Sequence, residues 1–273
     1  MMENSLVNYI KNDAIILDGK TLETSGFEVD GSELKNVKSV TLKNNANVTL
    51  VLHDIPSIFD LHFELEKDST LTLKALSDKV LDNCKITANC MENAEFAGYF
   101  IDFSDEKCAL RVEVELIGNK SRGFWKMASL SANNDNKKFD INVNHIGLET
   151  EGLVDNYGVC KDTSILEFCG TSYIKVNASK THTIQNAKIM VLDKSANGIA
   201  KPILKIDHND VQASHSACIG QMNEDHLFYL ISRGLSVEEA ERLIVLGYFN
   251  PIINLFEGTD IIDKINDLME KRV

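Results

Sequence analysis

The chain is 273 residues long, 44% hydrophobic and 25% charged, which is ordinary globular material and excludes wholesale disorder. With 41 acidic against 28 basic side chains its formal charge is -13, the wrong sign for a surface that reads phosphate, so nucleic acid and anionic membrane are excluded as primary partners. Six cysteines (Cys84, Cys90, Cys108, Cys160, Cys169 and Cys218), none in a CxxC pair, read as free thiols rather than a disulfide framework or a zinc ribbon.

The opening MMENSLVNYIKND has no basic region followed by an apolar run, and no apolar run anywhere approaches the ~18 residues of a membrane helix. A cytoplasmic protein without a membrane partner is expected. Residues 1–36 are taken as an N-terminal segment. From about Val37 to Ile206 the sequence returns repeatedly to period two, which places alternate side chains on opposite faces of a strand. LHFEL sets Leu61, Phe63 and Leu65 against His62 and Glu64. LRVEVEL sets Leu110, Val112, Val114 and Leu116 against Arg111, Glu113 and Glu115, and FDINVNH repeats the pattern with Phe139, Ile141 and Val143. Between such stretches lie KNNAN, ANNDN and DKSANG, whose Asn, Asp and Gly tolerate left-handed backbone. Only three prolines (Pro56, Pro202 and Pro251) interrupt the chain and no Pro/Gly/Ser-rich linker divides it, so one continuous β domain, residues 37–220, is the simplest reading. Strand spacing alone leaves sandwich, barrel and β-solenoid open, and no strict repeat decides between them.

After Gly220 the period changes. Asn223 is placed to cap a helix whose Leu227, Leu230 and Ile231 share a face, and Gly234 to end it in left-handed conformation. SVEE reads as a capping box of Ser236 and Glu239, followed by Ala240, Leu243 and Ile244 on an apolar face. NPIINLFEG predicts a further helix capped by Asn250, with Pro251 at its first position and Gly258 as its stop. A last helix from about Asp260 carries Ile261, Ile265, Leu268 and Met269 on one stripe. Residues 221–273 thus form a helical tail, whose stripes must bury against the β body or against a partner.

Candidate chemistry is sparse. Neither GxxxxGK[ST] nor GxGxxG occurs, so no nucleotide is expected on this chain and any ATP chemistry belongs to another. No GxSxG elbow occurs either. The solenoid option raises a carbohydrate-active enzyme, with Asp102, Asp105 and Glu106 as candidate carboxylates. Their plainer reading is a solvated acidic turn, and one Trp with 7% aromatics offers few sugar-stacking platforms. His215 and Cys218 form the only close His/Cys couple, a borderline and a soft metal ligand three positions apart where strand gives way to helix. The plainer reading of an isolated Cys is a small buried hydrophobe, and it is preferred for the other five.

The segment KPILKIDHNDVQASHSACIGQMNEDHLFYLISRGLSVEEAERLIVLGYFNP closely resembles the C-terminal signature of the SufB/SufD family, scaffold subunits of Suf iron–sulfur cluster assembly. The resemblance rests on KPILKI followed by DV and SHxAxxG, then LFYLISRGLSxxEAxxLIVxGYF, and it covers roughly Thr181 to Pro251. It implies a right-handed parallel β-helix capped by C-terminal helices, in a subunit that is not itself an enzyme. It further implies that these helices dock SufC, an ABC-type ATPase, with Leu227, Phe228, Tyr229, Arg233, Glu238, Glu239, Tyr248 and Phe249 as the expected contacts. Two such subunits would pair through their β-helices, as a homodimer or with a SufB-type chain, and a transient iron–sulfur cluster would be built near that junction. The histidine of the SufD type falls on His215; the SufB-type glutamate beside it is Ser216, and the SufB-type scaffold cysteine falls on Ala187. These departures point to a SufD-like subunit or a compact, self-pairing homologue. His215 and Cys218 from each of two copies are the expected metal ligands; the rival expectation is that His215 hydrogen-bonds in the interface while another subunit supplies the ligands.

Overall fold

LRVEVEL lies within a ten-residue strand, Lys107–Leu116, whose Cys108, Leu110, Val112, Val114 and Leu116 are buried while the residues between them face outward. The same alternation recurs along the computed structural model, which describes residues 6–11, 13–22, 24–43 and 45–272. Among these, the strands begin with β1 (Ile10–Lys11), β2 (Ala14–Asp18), β3 (Gly26–Asp30), β4 (Ser39–Lys43), β5 (Asn47–His53) and β6 (Asp60–Leu65). They continue with β7 (Thr70–Ser77), β8 (Leu81–Cys90), β9 (Glu95–Asp102), β10 (Lys107–Leu116), β11 (Arg122–Ser131) and β12 (Asn136–His145). The series ends with β13 (Glu151–Cys160), β14 (Ile165–Ile174), β15 (Thr181–Val191), β16 (Asn197–Ile206) and β17 (Val211–Gln221).

From β2 onward even-numbered strands stack in one parallel sheet and odd-numbered strands in the other, so each circuit of the chain adds one strand to both. The result is a β-solenoid of about seven turns, which settles the choice between sandwich, barrel and solenoid. It starts earlier than Val37: β2 pairs in parallel with β4, and β3 with β5, so the expected N-terminal segment already contributes to the first turn. Short strands and tight turns hide this at the sequence level.

The missing repeat has a geometric cause. Thr70 pairs with Asn47, 23 residues earlier; Glu95 with Thr70, 25; Arg122 with Glu95, 27; Glu151 with Arg122, 29; and His182 with Glu151, 31. The period drifts steadily, so no fixed spacing appears. One corner of six successive turns nevertheless carries a left-handed residue, in the column Asn45, Asp68, Asn93, Lys120, Glu149 and Lys180, with φ of 55 to 60°. Backbone N–H groups of this column donate to the next turn, from Asp68 to the Glu92 carbonyl (3.1 Å) up to Lys180 to the Asp210 carbonyl (2.6 Å).

Inward-facing side chains fill the lumen, from Leu50 and Leu73 through Phe96, Phe100 and Trp125 to Phe139 and Phe168. A second core lies outside the odd-strand sheet. There Leu76, Ile101, Phe103, Ala128, Leu130 and Val159 meet the helical tail. Each large side chain buried in that contact stabilises by about 1.5–3 kcal/mol, enough to order short helices that would not persist alone.

Helix α1 (Glu224–Ser232) is capped by Asn223, whose side chain accepts from Asp225 and His226 N–H, and Gly234 follows at φ +100°. Helix α2 (Val237–Ile253) starts with the Ser236/Glu239 capping box. The helix expected from Asn250 does not exist as a separate element: α2 continues through Pro251, so Asn250 is helical and not a cap. The reason is packing on both sides of the proline, where Phe249, Ile252 and Ile253 are buried and outweigh its missing N–H. A 3-10 turn (Asn254–Phe256) follows, Gly258 adopts φ +76°, and α3 (Ile262–Arg272) buries Ile265 and Met269.

The open end of the solenoid as candidate functional site

Strands β16 and β17 make the last turn, and each pairs with the preceding turn on one edge only. Their other edges present unpaired backbone N–H and C=O groups, a ready template for another strand. Side chains that would be lumenal in any earlier turn are uncovered here: Ile206, beside Ile174, is 43% and Ile219, beside Ile189, 47% exposed. No other stretch of the described solenoid leaves its inward row open in this way.

Register places the candidate ligands. His215 stands beside Gln185, which stands beside Val154 and Trp125 in successive turns below, so His215 occupies the lumenal row at the mouth. Ile219, four residues on, confirms the parity, because it approaches Gly198 and Ile189 inside the lumen. Cys218 has the opposite parity. It stands beside Lys188 on the outer face, where the Lys188 ammonium bonds Asp155 (3.0 Å) and the Tyr157 hydroxyl (2.8 Å). Tyr248 of α2 lies close by; burial first, then the neighbouring Cys218, pushes its phenol well above the ordinary range. Ser216, on that outer face, donates to Asn186 at 2.7 Å.

One strand therefore separates His215 from Cys218. Among the described residues no three His, Cys, Asp or Glu side chains converge as a metal site, so the donors of a single chain do not fit an iron–sulfur cluster. His215 offers one imidazole at the mouth. Cys84, Cys90, Cys108 and Cys160 are buried, and burial pushes the thiols of Cys84, Cys160 and Cys169 up to about 11, so they behave as packing residues.

The expected ATPase contacts divide into two groups. Helix α1 buries no residue and packs chiefly on α2, so Phe228 (74% exposed) and Tyr229 (55%) face solvent, with Arg233 over the Tyr229 ring at 5.1 Å. Glu238 and Glu239 are exposed at the start of α2, although Glu239 is already committed to the capping box; Leu227 is half-buried. Phe249 and Tyr248 do not belong to this surface. Phe249 is fully buried against Phe103 in the second core, and Tyr248 packs edge-on against Tyr157. Leu243, expected on one apolar face with Ala240, is exposed instead, and with exposed Val237 it extends the apolar patch.

Two of the three carboxylates considered for glycoside cleavage are engaged elsewhere. Asp102 is buried and bonded to Lys137 Nζ at 2.8 Å, Ser104 and Ser129, and Asp105 pairs with Arg272 at 2.7 Å. Asp105 thus fastens α3 to the solenoid, whereas Asp102 is spent inside the solenoid itself. A further group escaped the sequence reading: Thr181, Thr183 and Gln185, alternate residues of THTIQN, are buried polar side chains of the lumen. Their parity before Ala187 was the available signal.

Residues 25–248 match the family described as SUF system FeS cluster assembly, SufBD core domain. The chain is similar to the iron–sulfur cluster assembly protein SufD of Bacillus subtilis, 33% identical over 158 residues, which is 58% of this chain and 36% of that protein. It is also similar to the SufBD family protein ycf24 of Galdieria sulphuraria, at 27% over 49% of this chain and 60% of the relative, and to Bacillus subtilis SufB, at 23% over 50% and 29%. The matched part spans less than two thirds of the length of each of these relatives.

Proposed function

Because the chain belongs to the SufBD core family of the SUF iron–sulfur cluster assembly system, we propose that it is a non-catalytic partner or scaffold subunit that works with a SufC-like ABC ATPase. The observation that carries this is one-sided incompleteness. The last turn leaves both its backbone edges and its apolar inward row open, and α1 beside it leaves Phe228 and Tyr229 in solvent. Open edge strands and large apolar patches are what partners cover.

Two surfaces with two orientations support two partners. The edges of β16 and β17 suit a second solenoid, either another copy of this chain or a SufB-type subunit, whereas α1 and the first turns of α2 suit the ATPase. Motion of the ATPase would reach the paired solenoids through α2, whose far end is anchored in the second core. An iron–sulfur cluster would be cargo at the junction, where His215 contributes one imidazole and the second subunit supplies the remaining ligands. Cys218, on the helix side of β17, falls outside that set. Six free thiols accord with a cytoplasmic setting.

Co-expression with a SufC-type ATPase, with and without a SufB-type chain, followed by size-exclusion chromatography, tests the reading. A stable complex that Tyr229→Asp abolishes is expected; migration of this chain as an isolated monomer in every mixture contradicts it. Iron content after anaerobic purification of the complex separates a cluster-bearing junction from a purely structural pairing.

A further inference from the structure

The lumen is not filled evenly. One inward column of the odd-strand sheet runs Val29, Leu52, Ala75, Phe100 and Met127 through successive turns, so Ala75 sets a single methyl group between two large side chains. Protein interiors are close-packed, and so small a side chain in such a column leaves space. A cavity of about 40 Å³ lies there, bounded across the lumen by Leu61 and Ile86 of the even-strand sheet.

Two connections make its outer wall. One is the 3-10 turn Gly31–Leu34; the other, residues 54–59, is longer than the links from β7 to β8 and from β9 to β10. A Cβ placed on Gly31 would lie 2.8 Å from Ile55 Cα and 3.1 Å from Pro56 Cδ, so here the wall is closed by direct backbone approach. Of the lining residues only Lys35 and Asp60 are exposed, with Phe59 and Pro56 half-buried, so the cavity reaches solvent beside these side chains. Ile58, next to Phe59 in the chain, is 67% exposed and adds apolar surface at that entrance. Further in, every buried lining side chain is hydrocarbon. A buried water requires two to four polar partners, which these side chains do not supply.

We propose that this cavity is a binding site for the end of a slim aliphatic chain, carried by a small alcohol whose hydroxyl stays at the entrance. An apolar cavity of about 150 Å³ takes benzene and about 10–15 Å³ holds one water, so 40 Å³ has room for about two or three chain carbons. The entrance selects the head. Lys35 donates hydrogen bonds and Asp60 accepts them, so a hydroxyl, which does both, suits the pair better than a carboxylate or an ammonium, each of which one of the two repels. The site lies in the first turns of the solenoid, remote from the open last turn, and is independent of which partner covers that end.

Methyl NMR of the full chain titrated with xenon, 1-hexanol and hexanoate tests this. Xenon and 1-hexanol should give saturable shifts centred on the methyl groups of Leu52, Ala75 and Ile86, and hexanoate should bind several-fold more weakly. Ala75→Leu fills the cavity and should abolish the saturable shifts while raising the unfolding midpoint. Should leucine overpack the site, Ala75→Val, a smaller addition, should still weaken both probes several-fold in a folded protein. Ile86→Val enlarges the cavity and should tighten xenon. Shifts that fail to saturate, shifts spread alike over the exposed apolar side chains, or probe binding unchanged in a folded Ala75 variant would overturn the site. Hexanoate binding as tightly as 1-hexanol would overturn the assignment of its head group.

Discussion

Lys137 shows how much a single residue carries. Its ammonium, fully buried, donates to Asp102 Oδ2 (2.8 Å) and to the carbonyls of Ser104 (2.6 Å) and Leu130 (2.7 Å), using every proton it has. Replacing it by Met leaves Asp102 buried without its counter-charge, so Lys137→Met should lower unfolding stability by about 3–5 kcal/mol in urea titration, and Asp102→Asn in the same chain should recover part of that. A loss below ~1 kcal/mol for the single variant would show that water reaches the pair. His145 gives the pH prediction. Burial lowers its pKa from 6.5 to about 3, so below pH 6.5 the unfolded chain takes up a proton that the folded chain refuses. Stability should therefore fall as pH drops from about 6.5 toward 3, by a few kcal/mol, and His145→Gln should flatten this part of the profile. Asp54, held below the usual carboxylate range by His53 and Lys79, adds to acid sensitivity further down, since its contribution is present above the unfolded pKa and lost as pH falls. At this scale the sequence was legible in part. His215 and Cys218 drew attention by a spacing of three, which gathers side chains on a helix and drives them apart on a strand; the parity of ASHSACIG already contained that correction.

At the scale of elements, local signals were legible where capping decides and illegible where packing does. The caps of α1 and α2 stand at Asn223 and Ser236 because their side chains satisfy N–H groups that the first helical turn leaves free. Ser236→Ala should cost about 1 kcal/mol in thermal or urea unfolding and shorten α2 at its start; an unchanged midpoint would mean that Glu239 alone holds the cap. The continuation of α2 through Pro251 was hidden because its cause, the burial of Ile252 and Ile253, lies in another part of the chain. The left-handed corners were visible as Asn and Asp clusters, but not at Lys120, Glu149 or Lys180, where the stack imposes the conformation. Lys120→Asn should accordingly stabilise by up to ~1 kcal/mol, measured as a raised unfolding midpoint, because Asn tolerates φ near +59° better.

Over the whole molecule the solenoid is quasi-one-dimensional, so each turn is stabilised by its neighbours and the two ends differ from the middle. Terminal turns of such stacks need covering, and here the C-terminal one is bare while α2 and α3 protect the side of the odd-strand sheet. That asymmetry leaves an open edge, which the proposed pairing with a second solenoid would cover. Fold class followed from parity and from the resemblance of residues 181–251; the growing turn length and the early start did not, since both depend on pairing across 23 to 31 residues. Hydrogen–deuterium exchange of the chain alone and mixed with a SufC-type ATPase tests the account most directly. The account predicts new protection confined to α1 and the first turns of α2, with β2 to β9 unchanged. No change in α1, or protection centred on the charged outer face of the even-strand sheet, would contradict it.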